Sequence, residues 1–358
     1  MSLSNKKDKS LKSASGAMNP KAAEHFLKKK KQDRSVKDFV KAILKGDRVV
    51  LSQAITLVES TRTPDQIKAQ KIIEACLPYS GNSIRLGITG IPGVGKSTFI
   101  EALGKHIISK NKKVAVLAID PSSTLTKGSI LGDKTRMNEL AGDSNAYIRP
   151  SPTSGSLGGV ARKTRETILL CEAAGFDTIF VETVGVGQSE IAVHSMVDFF
   201  LLLLVPGAGD ELQGIKRGIV EMADLLAVNK ADGDRLKAAK RAQKEYRNAL
   251  HLMPPKPSGV TPKVMTCSAI EQTGIDKIWN QLVDYQKFTI KNKTFDDRRK
   301  QQSLFWLHEQ IKRGLQDYFY KNEKIKTRLE ELEKEVLEGK RNSFNAADEL
   351  LKMFFKKK

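Results

Sequence analysis

The residues best suited to chemistry begin at Gly90, in a stretch that reads GIPGVGKST. It matches the GxxxxGK[ST] pattern of a phosphate-binding loop, and it lies between an apolar run, Ile84–Thr89, and a segment with helical periodicity. Glycines let the backbone wrap phosphate oxygens closely, and the following helix presents free N–H groups. The sequence therefore predicts a nucleotide-binding loop made of Gly90, Gly93, Val94, Gly95, Lys96, Ser97 and Thr98.

Side chains able to serve the phosphates and a metal ion are spread over several segments. We expect Lys96 to reach the β- and γ-phosphates and the Ser97 hydroxyl to ligate Mg²⁺. Asp120 ends a second apolar strand, Glu182 ends a third, and Asp133 lies in a loop. Mg²⁺ prefers carboxylate and water oxygens, so these three carboxylates are candidate metal and switch residues. Lys96, Asp120 and Glu182 are the predicted catalytic residues.

A second motif, Asn229-Lys230-Ala231-Asp232, follows the apolar run Leu225–Val228. A carboxylate at Asp232 can accept hydrogen bonds from the N1–H and the exocyclic amine of guanine, and adenine offers no such pair of donors. Asn229 and Lys230 are expected to brace the loop and cover the base. Ser268 and Ala269 follow the last strand-like run and resemble a loop whose backbone contacts guanine O6. The predicted ligand is therefore GTP or GDP with Mg²⁺.

The stretch Glu182-Thr-Val-Gly185 stands where many GTPases carry DxxG, which makes Gly185 a candidate sensor of the γ-phosphate. Val186 occupies the position where Ras-like proteins place a water-orienting Gln, and Gln188 comes two residues later. We therefore expect slow intrinsic hydrolysis that a partner can accelerate. Three arginines are candidates to neutralise phosphate charge, and the sequence does not choose among them: Arg136, Arg149 and Arg162.

The chain of 358 residues carries a formal net charge of +20, but this charge is unevenly distributed. Residues 1–35 contribute +7, residues 286–358 contribute another +7, and the 250 residues between them carry +6. Aromatic residues make up 6% and are not interleaved with a basic run, which argues against a nucleic-acid platform. The longest apolar run, 199–206, is too short to span a bilayer. Neither a nucleic acid nor a membrane is a predicted partner.

Cysteine usage and the Lys-rich start suggest the compartment. Cys76, Cys171 and Cys267 lie far apart, with no CxxC pair, which is typical of a reducing environment. Residues 1–35 lack the apolar core of a secretory signal and are Lys-rich rather than Arg-rich as a transit peptide would be. We expect a bacterial cytoplasmic protein.

Continuous apolar strands alternate with helical segments between residues 81 and 285, and the polar motifs fall where strands end. This pattern predicts an α/β fold, a doubly wound and mostly parallel sheet of the P-loop GTPase type. The predicted organisation is a disordered tail over 1–35, a helical region over 36–80, the GTPase domain over 81–285, and a helical dimerisation arm over 286–358. Leu329, Leu332 and Val336 are a candidate apolar seam of that arm, with a solvated helical appendage as the open alternative.

Taken together, these motifs resemble those of the MeaB/ArgK family, whose human relative is the methylmalonic aciduria type A protein. The resemblance runs from about residue 36 to the C-terminus and is carried by these stretches: GIPGVGKST, AIDPSS, GDKTRM, RPSPTSGSLGGVARKT, FVETVGVGQSE, VPGAGDELQGIK and NKAD. It implies a homodimeric GTPase of the SIMIBI class that acts as a chaperone of adenosylcobalamin-dependent methylmalonyl-CoA mutase or a related acyl-CoA mutase. Such proteins gate loading of the cobalamin cofactor and protect or reactivate the mutase, and a switch within residues 189–214 would respond to it.

Other functions remain open from the sequence. A metal-insertion GTPase would need clustered Cys or His ligands, whereas the five His here are scattered. A small-molecule kinase of a transport system would fit an older label of the family, but Asp232 favours GTP over ATP. A signal-recognition-type targeting GTPase would need a Met-rich apolar domain, and the eight Met form no such cluster.

Overall fold

A computed structural model describes residues 34–119, 137–150, 157–183, 189–207 and 217–355. Within these ranges, seven parallel strands form one sheet in the order β3-β2-β4-β1-β5-β6-β7. The strands are β1 Ile84–Gly90, β2 Val114–Ile119, β3 Ala146–Arg149, β4 Thr178–Thr183, β5 Phe199–Leu204, β6 Leu225–Val228 and β7 Lys263–Thr266. The predicted doubly wound α/β class is confirmed.

Helices cover both faces of this sheet. Those before and within the strand region are α1 Val36–Leu44, α2 Arg48–Glu59, α3 Thr63–Cys76, α4 Lys96–Ile108, α5 Asn138–Gly142, α6 Leu157–Ala173, α7 Ser189–His194, α8 Arg217–Met222 and α9 Leu236–Leu250. Those after it are α10 Ile275–Lys291, α11 Thr294–Tyr320, α12 Glu323–Leu337 and α13 Ser343–Phe355. Among the residues described, none of the helices combines the length and the apolar character that crossing a bilayer requires.

Strand β5 is apolar at every position because both of its faces are buried. Phe200, Leu202 and Leu204 pack on the face covered by α1–α3 and α6–α9. Phe199, Leu201 and Leu203 point the other way, into the core formed with α4, α5 and α10. Side chains alternate between the faces of a strand, so a strand buried on both faces has to be apolar at every position.

The N-terminal helices pack as a layer against α6. Helix α1 begins with a capping box in which the Ser35 hydroxyl accepts the Asp38 N–H and the Asp38 carboxylate accepts the Ser35 N–H. Asp47 caps α2 in a similar way through the N–H groups of Val49 and Val50. These caps fix two short helices whose apolar faces then join the core on that side of the sheet.

The candidate apolar seam of the C-terminal helices packs on another helix of the same chain. Leu332 is buried against Ala346 and Leu350 of α13, and Leu329 and Val336 pack on the same small cluster. The proposed seam of α12 is therefore covered within the chain. Other apolar side chains of these helices are exposed, among them Leu307, Ile311, Leu315 and Tyr318 on the second half of α11.

Candidate nucleotide site

The loop between β1 and α4 has the backbone shape that its glycines permit. A Cβ on Gly90 would lie 2.6 Å from the carbonyl oxygen of Leu203, so a larger residue would push β1 and β5 apart. Gly95 caps α4 in the left-handed region, with φ of 93°, and its own added Cβ would lie 2.9 Å from Nδ2 of Asn229. Both positions require glycine because neighbouring backbone and side chains approach closely.

Lys96 is the first residue of α4, and its ammonium folds back onto the loop. Nζ donates to the carbonyl oxygen of Gly90 at 2.7 Å and to that of Ile91 at 3.3 Å. Ser97 is half-buried and Thr98 is exposed in the same first turn. A helix N-terminus offers unsatisfied N–H groups and a favourable dipole, so this turn and the Lys96 charge together make an anion-binding corner.

Asn229 ties the base-reading loop to the phosphate loop. Its Nδ2 donates to the carbonyl oxygen of Val94 at 2.9 Å, and its Oδ1 accepts the N–H of Ala269 at 3.1 Å. The Cys267 thiol also points at this Oδ1, at 3.7 Å, and burial raises the pKa of Cys267 to about 12, so the thiol stays a neutral donor. One buried side chain therefore fixes three loops relative to one another.

Lys230 and Asp232 are held in place by short contacts within the same group of loops. Lys230 has a positive φ of 58°, and its Nζ donates to the carbonyl oxygen of Gly93 at 2.7 Å. The half-buried carboxylate of Asp232 accepts the hydroxyl of Ser268, which in turn accepts the N–H of Glu271 at 3.1 Å. The carboxylate predicted to read the base is thus oriented by a hydroxyl group of the protein itself.

The sequence places Glu182 at the end of its strand, and β4 runs one residue beyond it, to Thr183. Glu182 pairs in register with Ile88 and Ala118 of the neighbouring strands. Strand β2 also pairs with Thr183, so the ladder on that side includes two polar residues. The Glu182 side chain is buried, near the carboxyl edge of the sheet where the phosphate loop begins.

Two of the predicted metal ligands lie in the described residues, the Ser97 hydroxyl and the Glu182 carboxylate. Both offer oxygen atoms, which suit a hard ion such as Mg²⁺. Asp120, Asp133 and Gly185 lie outside the described residues, as do Val186, Gln188 and Arg136. Over the ranges that are described, no three His, Cys, Asp or Glu side chains converge as a metal group by themselves.

Two of the three candidate arginines are engaged elsewhere. The Arg149 guanidinium donates to the Glu59 carboxylate of α2, and Arg162 pairs with Glu166 one turn along its own helix at 3.0 Å. These pairs join the N-terminal layer to the sheet and stabilise α6. Neither arginine has the phosphate loop as its partner in this structure.

Sequence reasoning did not anticipate the hydroxyl pair that joins β1 and β4. Thr89 Oγ1 and Thr183 Oγ1 lie 2.8 Å apart and are buried. Thr89 directly precedes the phosphate loop, and Thr183 is the last residue of β4. Both residues look like ordinary strand threonines in the sequence. The signal that could have identified them is their shared position at strand ends that meet at the same edge.

The fold and the loop geometry define the class of protein. A parallel sheet with a glycine-rich strand-to-helix loop at its carboxyl edge, joined by Asn229 to a second loop that carries Asp232, is the arrangement of a P-loop GTPase.

Comparison with known proteins identifies the family. Residues 51–324 match the family model described as "Methylmalonyl Co-A mutase-associated GTPase MeaB", and the chain belongs to this family. It is 47% identical to GTPase ArgK of Escherichia coli over 291 residues, which are 81% of this chain and 88% of the relative. It is 45% identical to the mitochondrial methylmalonic aciduria type A homolog of Mus musculus over 334 residues, or 90% and 80% of the two chains. A crystal structure of an LAO/AO transport system kinase matches with a TM-score of 0.73 at 37% identity, covering 90% of this chain and 98% of that one.

Proposed function

We propose that this protein is a chaperone for an acyl-CoA mutase. It binds GTP at the carboxyl edge of the sheet, and hydrolysis of this GTP gates the loading of the mutase with its cobalamin cofactor. The single observation that carries the nucleotide part is the Asn229 bridge, because it places the base-reading loop against the phosphate loop. Family membership supports the GTPase class. The mutase partner rests on the family description and on the name of the mouse relative.

Each described residue has a proposed task in nucleotide binding. The N–H groups from Gly93 to Thr98 surround the phosphates, and Lys96 exchanges its two carbonyl contacts for phosphate oxygens. Asp232 accepts the N1–H and the exocyclic amine of guanine, while Lys230 lies over the base and the Ala269 N–H meets O6. The Ser268 hydroxyl uses one of the acceptor sites of Asp232 Oδ2 and fixes the plane of the carboxylate, so both oxygens keep acceptor sites for the base.

The hydrolytic step is proposed to depend on charge neutralisation and on the partner. Ser97 and Glu182 would hold Mg²⁺ together with Asp120 and Asp133, and the bound ion would offset charge on the β- and γ-phosphates. Lys96 neutralises charge on the same oxygens. Gly185 is the proposed γ-phosphate sensor. Val186 cannot orient a water molecule by hydrogen bonding, so the intrinsic rate should be slow until the mutase reorders the loop.

We infer that the active form is a homodimer assembled through α11. Its second half carries an apolar stripe at helical spacing, Leu307, Ile311, Leu315 and Tyr318, and these side chains are between 50% and 75% exposed. Such spacing places them on one face. Exposed contiguous apolar surface of this kind is typical of an interface. We propose no nucleic-acid or membrane partner, and the cytoplasmic location remains a prediction.

A cofactor-loading assay tests the chaperone proposal. Methylmalonyl-CoA mutase without cofactor is mixed with adenosylcobalamin and this protein, in the presence of GDP, GTP or a non-hydrolysable GTP analogue. Formation of active mutase should differ between GDP and the analogue, and a Lys96→Ala variant should remove that difference. Loading that is the same with every nucleotide would contradict a gating role, and a metal-insertion role would then be examined with Ni²⁺ or Zn²⁺.

A further inference from the structure

A large cavity lies at the edge of the sheet opposite the nucleotide loops. It has a volume of about 770 Å³ and is lined by the end of α7, by α8, by the loop 254–258, and by α10 and α11. Asp198 and Asp224, which immediately precede β5 and β6, are among the lining residues, so the cavity sits at the amino ends of these strands. Its volume falls in the range of small-molecule sites.

One end of the cavity is polar and built around the buried carboxylate of Asp224. Lys256 Nζ donates to Asp224 Oδ1 at 3.2 Å and to the carbonyl oxygen of Met222 at 2.8 Å. Arg298 Nη1 donates to Asp224 Oδ2 at 3.2 Å, and the Phe200 N–H reaches the same oxygen at 2.9 Å. Two cations therefore share one carboxylate in a region shielded from water.

The other charged groups around the cavity do not cancel this positive excess. Asp198 is bound by both arms of the Arg299 guanidinium. Asp297 pairs with Lys300, with both side chains about two-thirds exposed or more, and Glu221 is exposed at the rim. His194 is neutral, because burial and then Arg298 lower its pKa to about 4. Charges at an exposed rim are screened by solvent, whereas those inside are not.

Hydrogen-bonding capacity at the polar end is also left over. Arg298 gives one N–H to Nε2 of His194 and one to the hydroxyl of Tyr285, each at 3.2 Å, besides its bond to Asp224. Two of its five N–H groups and one of the three on Lys256 have no acceptor among the described residues. Oε1 of Gln302, a residue 6% exposed, is buried with no donor in the described part of the chain, but this oxygen is an acceptor and does not contribute to anion binding.

Away from this end the walls are apolar. Pro255 and Pro257 come from the loop after α9, Tyr285 from α10, and Phe295 and Phe305 from α11. Such surfaces favour an aliphatic or aromatic body, whereas the N–H groups that have no acceptor in the described part of the protein favour an oxyanion. An oxyanion here would complete a charge-assisted set of hydrogen bonds.

We propose that this amino-edge cavity binds a small carboxylate with an aliphatic body. The carboxylate accepts N–H groups of Lys256 and Arg298, and the hydrocarbon lies along the prolines and aromatic rings. The site is separate from the phosphate loop and from Asp232, since those lie at the carboxyl ends of the strands. The proposal for this cavity therefore does not depend on the assignment of the nucleotide site.

Calorimetric titration of the full chain with octanoate, and with octanol as the neutral match, tests the proposal. Octanoate should bind one site per chain at least about tenfold more tightly than octanol, which corresponds to one charge-assisted contact. Lys256→Met should weaken octanoate by a similar factor and leave octanol unchanged. Lys300→Met, which removes a charge at the exposed rim, should change neither.

Gly218→Leu provides a second variant that does not touch the ion pairs. Gly218 lines the cavity, and a Cβ there would meet no atom within 4 Å, so a leucine can occupy part of the space without strain. It should weaken octanoate and octanol alike. The circular dichroism spectrum and the midpoint of urea unfolding of each variant report whether the fold is intact. Equal binding of octanoate and octanol, no octanoate binding at millimolar concentration, or unchanged octanoate affinity in Lys256→Met would overturn the proposal.

Discussion

The side-chain amide of Asn229 donates to the carbonyl oxygen of Val94 across 2.9 Å, and these two residues are 135 positions apart in the chain. The same side chain accepts the N–H of Ala269 through its oxygen. Because a buried amide that satisfies both its donor and its acceptor side costs much to displace, the loops for phosphate and for base keep a fixed separation. In the proposed complex, a nucleotide that fits the phosphate loop would thereby be presented to Asp232.

Lys96→Ala removes the proposed phosphate contact. We expect GTP hydrolysis to fall at least about a hundredfold and nucleotide affinity to drop, since no other charge in that turn replaces the ammonium. Phosphate release measures the rate of hydrolysis, and titration with a fluorescent GDP measures nucleotide affinity. Lys105→Ala is the matched control, because Lys105 lies on the same helix but pairs with Glu139 on the surface. Wild-type turnover in Lys96→Ala would rule out this site.

Asp232→Asn changes the pattern of donors and acceptors offered to the base. We expect GTP affinity to fall more than about tenfold and xanthosine triphosphate to become the preferred nucleotide. The amide can accept the N1–H and donate to the 2-oxo group of xanthine. Competition titrations measure the preference. Asp234→Asn, two residues away and exposed, should leave it unchanged. An unaltered preference in Asp232→Asn would assign base recognition to another residue.

Several elements of this fold and site could be predicted because their causes are local. The apolar run of β5 and the GxxxxGKS loop are encoded in consecutive residues, and both were placed correctly. The extension of β4 beyond Glu182 to Thr183 could not be predicted, since it depends on pairing with the neighbouring strand β2. The bonds from Arg299 to Asp198 join residues 101 positions apart, and no pattern in the sequence indicates that separation.

Arg299→Met tests how the start of α11 is anchored to the sheet. Arg299 binds Asp198 through two nitrogens and also donates to the carbonyl oxygen of Ser83 at 2.7 Å. Its loss leaves a buried carboxylate uncompensated, so we expect the free energy of unfolding to fall by about 3 kcal/mol. Urea denaturation followed by circular dichroism measures this value. The neighbouring Lys300→Met, at an exposed surface pair, should change it by less than about 0.5 kcal/mol.

The proposed role of the apolar stripe of α11 in dimerisation is better tested by introducing charged residues than by truncating the chain. Cutting the chain after residue 290 would also remove Arg298, Arg299 and the bond from Trp306 to the Ser195 carbonyl oxygen, so loss of the dimer could reflect loss of the fold.

Leu307→Glu combined with Ile311→Glu places two charges in the stripe without touching those anchors. Light scattering should then report a monomer, because a buried unpaired charge opposes association. Lys312→Glu, on an exposed surface pair of the same helix, should remain dimeric. A double variant that stays dimeric would place the interface on another surface.

GTP turnover by the purified full chain, measured alone and with methylmalonyl-CoA mutase from the same source, tests the proposed GTPase chaperone function. We expect a slow basal rate that rises clearly when the mutase is added, and no turnover of ATP in either case. A basal GTPase that is indifferent to the mutase, or a rate with ATP equal to that with GTP, would contradict it.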